Sequence, residues 1–395
     1  MFSRMRCNVG LMLKDSRGQS VLESTSKHTV STVADARRDP AAPLRVTLIT
    51  PEWPGAEHSG GVARYAFRLA SELSREVALT VVTVAGNDSD LETVDVMRCK
   101  RDSGRFGRYY LLPFRLRKLV RASAPDVVHS FGDDWAIGHR WPLVRTFHGS
   151  ALREARSSRG LRKVNHLILS VLEHVSAQRA DIKIAVGADS QEEFRCDTAM
   201  PPVSRLRRSD ARSPDPTVVF IGSFHGRKRG SLISNAVEEL RSDTVLPIRL
   251  VVVGPEDDGA NWPEDVDHRS GLSDQEVREL ISTSWVLAAP SEYEGFGIPV
   301  YEALALGTPA ITTHTPGSDF LSSQLDGAEG LIFTDEVGLK TSLRRVLERG
   351  PVDHDAIPAR QVDPLLRLGS SERLVNELYP EARRRFRRAE ARRVQ

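Results

Sequence analysis

The chain has 395 residues, a length that favours two domains of ordinary size over one. Its 40% hydrophobic and 27% charged content is ordinary for a globular protein, and its net charge of +2 excludes a strong overall preference for nucleic acid or membrane. The three cysteines, Cys7, Cys99 and Cys196, are too widely spaced for a disulfide framework or a metal-ligand motif, and they suit a reducing cytoplasm.

The first 43 residues carry little that would specify a fold. The apolar stretch Val9 to Leu13 is short and interrupted, which makes it a poor secretory signal. Nowhere in the sequence do the roughly 18 consecutive apolar residues of a membrane span occur. Residues 15–43 are polar and show little periodicity. We therefore expect 1–43 to be a disordered leader, or an over-extended start upstream of the true one.

From Leu44 onward, short apolar strands alternate with helices. The strand "LRVTLIT" precedes a glycine-containing loop and "VARYAFRLASEL", whose apolar side chains share one face of a helix. The further strands of this half are "VALTVVTV", "PDVVHS", "LVRTFHG" and "DIKIAV", with a long helix over about 161–180 before the last. Such alternation predicts a parallel sheet covered on both faces, and we assign 44–197 to one Rossmann-like domain.

The alternation of strands and helices is interrupted after residue 197 and resumes at residue 217. Residues 198–216 contain four prolines and no apolar periodicity, which predicts a linker. The strands "TVVFIGSF", "IRLVVVG" and "WVLAAP" follow, with a helix near 230–241 and a capping box of Ser273 and Glu276 that opens another. We predict a second Rossmann-like domain over 217–365. The carboxyl ends of the strands in both domains should face a ligand cleft between them.

A glycine-containing turn follows the strand "WVLAAP", in the stretch "PSEYEGFGIPVYEALALGTPAITT". Pro299 suits the first position of a helix, and Gly307 suits its C-terminal cap. The amides of Gly295, Phe296 and Gly297 then lie at the positive end of that helix, where they can bind phosphate oxygens. This part of the sequence predicts an anion-binding loop.

One carboxylate stands on each side of this loop. Glu294 lies at the strand end, and Glu302 falls within the first helical turn. A carboxylate accepts hydrogen bonds well, and vicinal ribose hydroxyls offer two donors. The arrangement suits a nucleotide sugar. Glycine-containing turns are nevertheless common in α/β proteins, and Glu302 could equally be a solvated helix charge.

The same stretch resembles the signature of the retaining family 4 glycosyltransferases, in which two glutamates stand eight positions apart. The upstream "GLSDQEVRELISTSWVLAAPS" is also similar to that family, and the resemblance covers about 44–350. It implies an α/β GT-B fold, with two Rossmann-like doubly wound domains facing across an interdomain cleft and the donor held mainly by the second. It further implies that Glu302 binds the donor ribose and that Glu294 acts at the donor sugar or its phosphate side.

The segment "TVVFIGSFHGRKRGSLI" resembles the loop with which this family supplies cations to the donor diphosphate. The family pattern has an arginine after the strand glycine, here Gly222, and Ser223 takes that arginine's place. A cation must neutralise the charge that develops on the leaving diphosphate. The resemblance makes Lys228 and Arg229 the candidate catalytic cations and Gly222 a donor-binding residue. The alternative is a solvated basic loop.

The first half carries two further family features. Gly60 and Gly61 resemble the family's glycine loop, which contacts the acceptor side and the donor phosphates, and His148 matches a histidine near the transferred sugar. His129 also aligns with a histidine of the family, but we expect it to have a packing role. In two departures, Gly187 replaces the usual serine and "PPVSRLRR" replaces the usual segment near the linker.

The sequence therefore predicts a cytoplasmic retaining glycosyltransferase that needs neither metal nor cofactor. It would move a sugar from a nucleotide-diphosphate sugar to a hydroxyl of a glycan, a lipid-linked molecule or a small molecule. Two alternatives remain open: a GT-B sugar-nucleotide epimerase or phosphorylase, and a catalytically silent sugar-nucleotide-binding partner.

Two basic stretches raise the question of further partners. Residues 100–121 mix arginines and lysines with aromatic and aliphatic residues, so they could contact an anionic membrane peripherally. We favour a surface helix whose apolar face packs on the sheet. The segment 381–393 contains seven arginines. The family resemblance implies a terminal helix over 366–395 that crosses back to the first domain, and no nucleic-acid module is present.

Overall fold

The structure is a computed structural model that describes residues 42–53, 61–84, 91, 93–99, 106–152, 160–209 and 211–394. The predicted leader lies almost wholly outside the described residues, as do Gly60 and the first part of the 100–121 stretch. Residues 43–395 form one compact unit.

The first half of that unit is built on a parallel sheet of seven strands. Its strands are β1 (Arg45–Thr50), β2 (Ala78–Thr83), β3 (Asp95–Arg98), β4 (Val127–Ser130), β5 (Leu143–Phe147), β6 (Ile182–Ala185) and β7 (Thr198–Ala199). They lie in the order β3-β2-β1-β4-β5-β6-β7. The strand order reverses between β1 and β4, and ligands of such sheets bind beyond the carboxyl ends at that position.

The second half repeats this plan with six parallel strands. They are β8 (Thr217–Ile221), β9 (Arg249–Val253), β10 (Asp267–Arg269), β11 (Val286–Ala289), β12 (Ala310–Thr312) and β13 (Leu331–Phe333). Their order is β10-β9-β8-β11-β12-β13, so the corresponding reversal lies between β8 and β11.

The helices connect and cover these strands. They are α1 (Gly61–Leu73), α2 (Leu112–Ser123, preceded by a π-helical turn Gly107–Leu111), α3 (Gly160–Arg179), α4 (Ala188–Phe194), α5 (Gly230–Asp243), α6 (Asp274–Thr283), α7 (Ile298–Ala305), α8 (Pro316–Gln324), α9 (Leu339–Arg349), α10 (Asp363–Leu368), α11 (Ser371–Arg373) and α12 (Tyr379–Val394). Short 3₁₀ turns occupy Glu256–Asn261, His354–Ala356 and Ala359–Val362, and a second π-helical turn, Leu374–Leu378, leads into α12.

Both faces of each sheet are buried, which explains the near-continuous apolar strands of the sequence. In β1, Val46 and Leu48 pack with α1, whereas Ile49 on the other face packs with α2. In β8, Val218 and Val219 belong to separate cores on opposite faces. Two doubly wound domains are present, as predicted, so the α/β fold class is confirmed.

The C-terminal segment lies against the first sheet. Tyr379 at the start of α12 is fully buried, and its hydroxyl is 2.9 Å from Nδ1 of His129. Nε2 of that histidine is 2.8 Å from the Thr146 hydroxyl. His129 is therefore fully hydrogen-bonded within the core, which agrees with a packing role. Farther along α12, the Arg385 guanidinium lies 2.7 Å from the Asp197 carboxylate.

The basic linker serves the second domain structurally. The Arg212 guanidinium donates to the carbonyls of Ser282 and Ser284, at 2.9 and 2.8 Å, and to the Thr308 hydroxyl at 2.7 Å. Burial lowers the pKa of Arg212 to about 10. Arg208 donates to the carbonyl of Ala305, the last residue of α7. The departure "PPVSRLRR" thus includes a residue that binds the carbonyl end of the helix carrying Glu302.

Candidate functional site

The loop between β11 and α7 has the local geometry that its sequence indicated. Gly297 is the N-terminal cap of α7 in the left-handed conformation (φ +84°), which favours glycine. The helix begins at Ile298, one residue earlier than predicted, so Pro299 is its second residue. Glu302 is consequently the fifth residue, just past the first turn. Gly307 follows the last turn with φ +77°.

Glu294 lies at the strand-order reversal between β8 and β11 and meets the basic loop there. Its side chain is 14% exposed. Oε1 accepts hydrogen bonds from Lys228 Nζ and, at 2.8 Å, from the Ser291 hydroxyl. The Arg227 guanidinium is 3.5 Å from Oε2 and donates to the Tyr293 carbonyl at 3.0 Å. Two cations and one carboxylate therefore converge where a donor diphosphate would be expected.

Gly222 permits this approach. A Cβ at residue 222 would lie 2.8 Å from both Cβ and Cγ of Lys228. The backbone φ there is +156°, so a larger residue would be strained as well as crowded. Gly222 thus acts by leaving room for the lysine stem beside the strand end.

Arg229 does not share this arrangement. It precedes α5 in the left-handed conformation (φ +59°), and its guanidinium pairs with Glu336 at 2.7 Å. Of the two cations predicted for the diphosphate, the structure brings Lys228 to Glu294 and places Arg229 on a different carboxylate. Arg227 is the second cation at Glu294, and the only sequence signal for it was its place in the basic triplet.

The side chain of Phe296 points into the core rather than toward a ligand. It is 5% exposed and lies against the rings of Tyr301 and Phe320, with centroids 6.2 Å away in each case. Its contribution to donor binding would therefore come from its backbone. Gly317 borders that backbone: its amide donates to the Glu294 carbonyl at 2.9 Å, and a Cβ would lie 2.6 Å from the Phe296 nitrogen.

Sequence reasoning did not select Gly317. The Pro316–Gly317 dipeptide was a signal for a turn, but nothing in the sequence connected that turn to the loop at Gly295.

Glu302 is largely buried and already has a partner. Its side chain is 16% exposed, and Oε1 lies 3.4 Å from Nε of Arg278 on α6. Burial raises the pKa of the Glu302 carboxyl, and the nearby Arg278 guanidinium partly opposes that rise. A solvated helix charge is thus the wrong description. Arg278 gave no signal in the sequence beyond its place on a helix.

His148 follows β5 in the first domain. Its ring lies edge-on to Phe131 and Tyr65, with centroid distances of 4.8 and 5.2 Å. Burial, together with the neighbouring Arg145 charge, lowers the pKa of His148 to about 3, so the imidazole is neutral near pH 7. Its buried Nε2 has no hydrogen-bond partner within the described part of the chain. Of the glycine pair, Gly60 lies outside that part, and Gly61 is the first residue of α1.

The two domains approach each other closely at the donor loop. A Cβ on Gly187, the N-terminal cap of α4, would lie 2.0 Å from the carbonyl oxygen of Gly295. Nearby, Arg64 on α1 forms an ion pair with Asp274 on α6 at 2.9 Å. The family's usual serine would not fit here, so the departure at Gly187 follows from this contact.

Neither a metal cluster nor a membrane span is found in the described ranges. No group of three or more His, Cys, Asp or Glu side chains there could hold a metal ion. No helix in those ranges is both long and apolar enough to cross a bilayer.

Comparison with known proteins places these features in a family. The model of "Glycosyl transferases group 1" matches residues 205–359, and that of "Glycosyltransferase Family 4" matches 59–207. Together the two matches include every strand of the two sheets except β1, which precedes residue 59.

Individual relatives are distant. The D-inositol 3-phosphate glycosyltransferase of Nocardia farcinica is 26% identical over 77% of this chain and 80% of its own length. The GDP-mannose:cellobiosyl-diphosphopolyprenol alpha-mannosyltransferase of Komagataeibacter xylinus is 24% identical over 72% and 78%. For other relatives, the aligned part ranges from 25% to 86% of the relative's own length.

A solved structure supports the fold. Anabaena Alr3699/HepE in complex with UDP-glucose superposes with a TM-score of 0.58 at 14% identity, covering 88% of this chain and 99% of that one.

Proposed function

Because the chain belongs to glycosyltransferase family 4 and has the GT-B fold, we propose that it is a retaining glycosyltransferase using a nucleotide-diphosphate sugar. The observation that carries this proposal is the meeting of Lys228 and Glu294 at the strand-order reversal of the second sheet. The glycine loop follows Glu294 directly in the chain, and Glu302 lies on α7, the helix that this loop precedes. The described relatives whose names state a reaction transfer sugars, and a structural neighbour was solved with UDP-glucose.

The roles of the residues follow from their charges and positions. The donor diphosphate would lie between the loop Gly295 to Gly297 and the cations of the basic loop, with its ribose toward Glu302. Lys228 would then turn from Glu294 to the diphosphate, which leaves Glu294 free to accept a hydrogen bond from a sugar hydroxyl. The proposed reaction needs no cofactor, because the protein catalyses it by positioning the substrates and by stabilising the charge of the leaving diphosphate.

The transfer itself exchanges one bond for another on the same face of the sugar. The bond between the anomeric carbon and the diphosphate oxygen breaks, and the acceptor oxygen forms the new bond. The acceptor proton passes to the departing diphosphate. His148, which is neutral, would position the sugar rather than attack it.

Product stereochemistry tests this proposal. A thermal-shift screen of nucleotide sugars identifies the donor, since a ligand of the native state raises the apparent stability. NMR of the product should then show the anomeric configuration of the donor, and an inverted product would overturn the mechanism. An epimerase would instead release an altered nucleotide sugar, a phosphorylase would require inorganic phosphate, and a silent partner would bind the donor without slow hydrolysis.

We also propose that the enzyme works at an anionic membrane surface, in the reducing cytoplasm. The observation is a cluster of exposed apolar side chains on two neighbouring helices, which we call the apolar patch. Its members are Phe106, Leu111 and Phe114 before and on α2, and Val164, Leu167, Ile168 and Val171 on α3. These are seven of the ten large apolar side chains that are exposed in the described part of the chain.

Contacts join the two parts of the patch, and charge surrounds it. The Tyr110 hydroxyl donates to Asn165 on α3 at 3.2 Å. Among the residues of 106–123 and 160–172 whose side chains the structure describes, five are Lys or Arg and none is Asp or Glu, which complements anionic lipid. The opposite face of α2, including Leu112, Leu116 and Val120, is buried. One face of α2 therefore packs on the sheet while another presents an apolar side chain to the outside. From the sequence alone, packing on the sheet and contact with a membrane were alternatives.

Vesicle flotation tests the membrane proposal. The full chain should float with phosphatidylglycerol vesicles at low salt and dissociate at high salt. Phe114→Ser with Val171→Ser should abolish flotation, while the control Val245→Ser with Val337→Ser, which removes two exposed valines elsewhere, should not. Patch-dependent dimerisation without vesicle binding would show that a second copy covers the patch instead.

A further inference from the structure

Glu302, the carboxylate assigned to the donor ribose, is held by a single contact. Arg278 on α6 reaches it through one nitrogen, with Nε 3.4 Å from Oε1. No other side-chain hydrogen bond from the described residues reaches this carboxylate. Arginines that pair with carboxylates frequently form two parallel hydrogen bonds to them. The contact here instead leaves Oε2 available to another hydrogen-bonding group, such as a hydroxyl.

The position of Glu302 makes its charge dependent on a partner. It is the fifth residue of α7, and the favourable field of a helix N-terminus is confined to about the first turn. Burial raises the pKa of the carboxyl and so favours its protonated form. Only the ionised carboxylate can accept hydrogen bonds from two vicinal hydroxyls with both of its oxygens. The ribose site therefore requires a cation beside Glu302.

The charged groups that face Glu302 come from both domains. Against the effect of burial, Arg278 is the strongest influence that lowers the pKa of Glu302. Asp274, also on α6, raises that pKa, and Arg68 on α1 of the first domain lowers it more weakly. Arg64, one helical turn before Arg68, pairs with Asp274 at 2.9 Å. The first domain thus adds a cation and neutralises a carboxylate that opposes ionisation.

We propose that Arg278 is a positioning residue of the donor site, which keeps Glu302 ionised and turns its free oxygen toward the ribose. This inference rests on the proposed transferase function and deepens its donor site. Arg278 acts through Glu302 and has no contact of its own with the ribose. A merely structural ion pair would join α6 to α7 without affecting how the ribose hydroxyls are bound.

Nucleotide binding to the full chain, measured by calorimetry, tests the proposal. The probes are UDP, GDP and ADP, and the comparison is the 2′-deoxy form of whichever nucleotide binds. Arg278→Gln should weaken binding of the ribonucleotide about tenfold or more at pH 7, the effect of losing a charged hydrogen-bond partner. Binding of the 2′-deoxy form should change much less. Arg278→Lys, which keeps the charge, should retain most of the affinity.

The pH profile and a double variant separate positioning from structural support. Without Arg278 the pKa of Glu302 rises further, so the loss of affinity on acidification should begin at a higher pH than in the wild type. In the Glu302→Gln background, Arg278→Gln should change the affinity less than about twofold, because the group through which it acts is gone. Arg249→Gln is the matched control. It removes an arginine that lies 3.5 Å from Asp267 in the same domain and should leave both affinity and pH profile unchanged.

The outcomes that overturn the proposal are distinct from those that overturn the transferase function. Equal losses for the two forms of the nucleotide, or equal effects of Arg278→Gln with and without Glu302, would make the ion pair structural. Should Arg278→Gln fail to fold, Arg68→Gln provides the pH measurement and should move the profile in the same direction by less than Arg278→Lys leaves intact. A larger shift in Arg68→Gln than in Arg278→Gln would assign the role to the first domain instead. Failure of all three nucleotides to bind the wild type would refute the donor site itself, and with it the transferase function.

Discussion

At the scale of single residues, the basic triplet after Gly226 shows how neighbours in sequence take different roles. Arg227 contacts the Tyr293 carbonyl, Lys228 binds Glu294, and Arg229 turns to Glu336. The left-handed backbone at Arg229 directs its side chain away from the other two. A carboxylate that holds a lysine beside an anion loop keeps that lysine in place before the diphosphate arrives.

Replacing Lys228 should therefore damage turnover far more than replacing Arg229. We expect Lys228→Ala to lower kcat about 10²- to 10³-fold, the effect of removing one group that stabilises developing negative charge. Arg229→Ala is the matched control and should lower kcat only severalfold. Steady-state kinetics with the identified donor provide the measurement. Equal losses in the two variants would mean that the loop rearranges around the donor.

Glu302 leads to a prediction with a pH dependence. The carboxylate form should bind the ribose, so Glu302→Gln should weaken donor binding by about 1.5–3 kcal/mol while the fold survives. Because burial raises the pKa of Glu302 in the folded protein, protonation favours the native state. The contribution of Glu302 to the free energy of unfolding is therefore lost as the pH rises through the pKa that this residue has in the folded protein. Donor affinity should change in the opposite sense and fall on mild acidification.

Calorimetric titration at several pH values measures this effect. The acid-dependent loss of donor affinity should occur in the wild type and be much reduced in Glu302→Gln. A variant that keeps full affinity would remove the ribose assignment, and Arg278 would then hold Glu302 for structural reasons alone.

At the scale of elements, a side chain at the N-terminal cap of α4 would clash with the donor loop. Gly187 has an extended backbone (φ −145°), which any residue can adopt, and serine in place of glycine at an N-cap would stabilise the helix by only about a few tenths of a kcal/mol. The clash of a side chain with the Gly295 carbonyl opposes that gain. We expect Gly187→Ser to keep the thermal stability but to lower kcat/KM for the donor at least tenfold, because the domains can no longer close.

The control is Gly338→Ala, at the N-cap of α9. Its new Cβ would meet the Thr334 hydroxyl at 2.9 Å, a contact that side-chain rotation relieves. Its kcat/KM should stay near the wild-type value. Small-angle scattering of Gly187→Ser with donor should show a more open molecule than the wild type. An equally closed variant would refute the steric argument.

Sequence patterns predicted the elements that are buried on both faces and missed those at sheet edges. The strands that were not foreseen include β3, β10 and the two-residue β7, which are short and are only partly buried or exposed. Polar residues such as Asp267 and Arg269 in β10 carry no apolar signal, since the neighbouring strand alone supplies their hydrogen bonds.

The same limit applies to the site. The glycine loop, Glu294 and Glu302 form a local pattern within 290–313, so the sequence could select them. The pairing of Lys228 rather than Arg229 with Glu294 depends on the backbone conformation at residue 229. Gly317, Arg278 and the buried Arg145 reach their places only through the packing of distant elements.

At the scale of the whole molecule, the C-terminal segment packs into the core of the first domain. Leu374, Leu378, Tyr379 and Ala382 belong to the core of the first sheet, although they follow the second domain in sequence. Burial of each leucine is worth about 1.5–3 kcal/mol, a large share of the roughly 5–15 kcal/mol that stabilises a domain. The Tyr379 hydroxyl also satisfies His129, which would otherwise be left with an unpaired buried nitrogen.

A chain that ends at Leu368 should therefore lose the first domain and keep the second. Hydrogen exchange should show protection lost in β1 to β6 and retained in β8, β9, β11 and β12, because no residue of the second-sheet cores follows residue 368. The truncated chain should still bind the donor nucleotide, with weaker affinity, and should transfer no sugar because the first domain, which carries His148, is no longer folded. Tyr379→Phe in the full chain is the milder comparison and should lower the free energy of unfolding by about 1–3 kcal/mol. Uniform loss of protection in both sheets would show instead that the two domains stabilise each other through the cleft. The ion pair of Arg64 and Asp274 would then contribute more to the free energy of unfolding than an exposed ion pair ordinarily does.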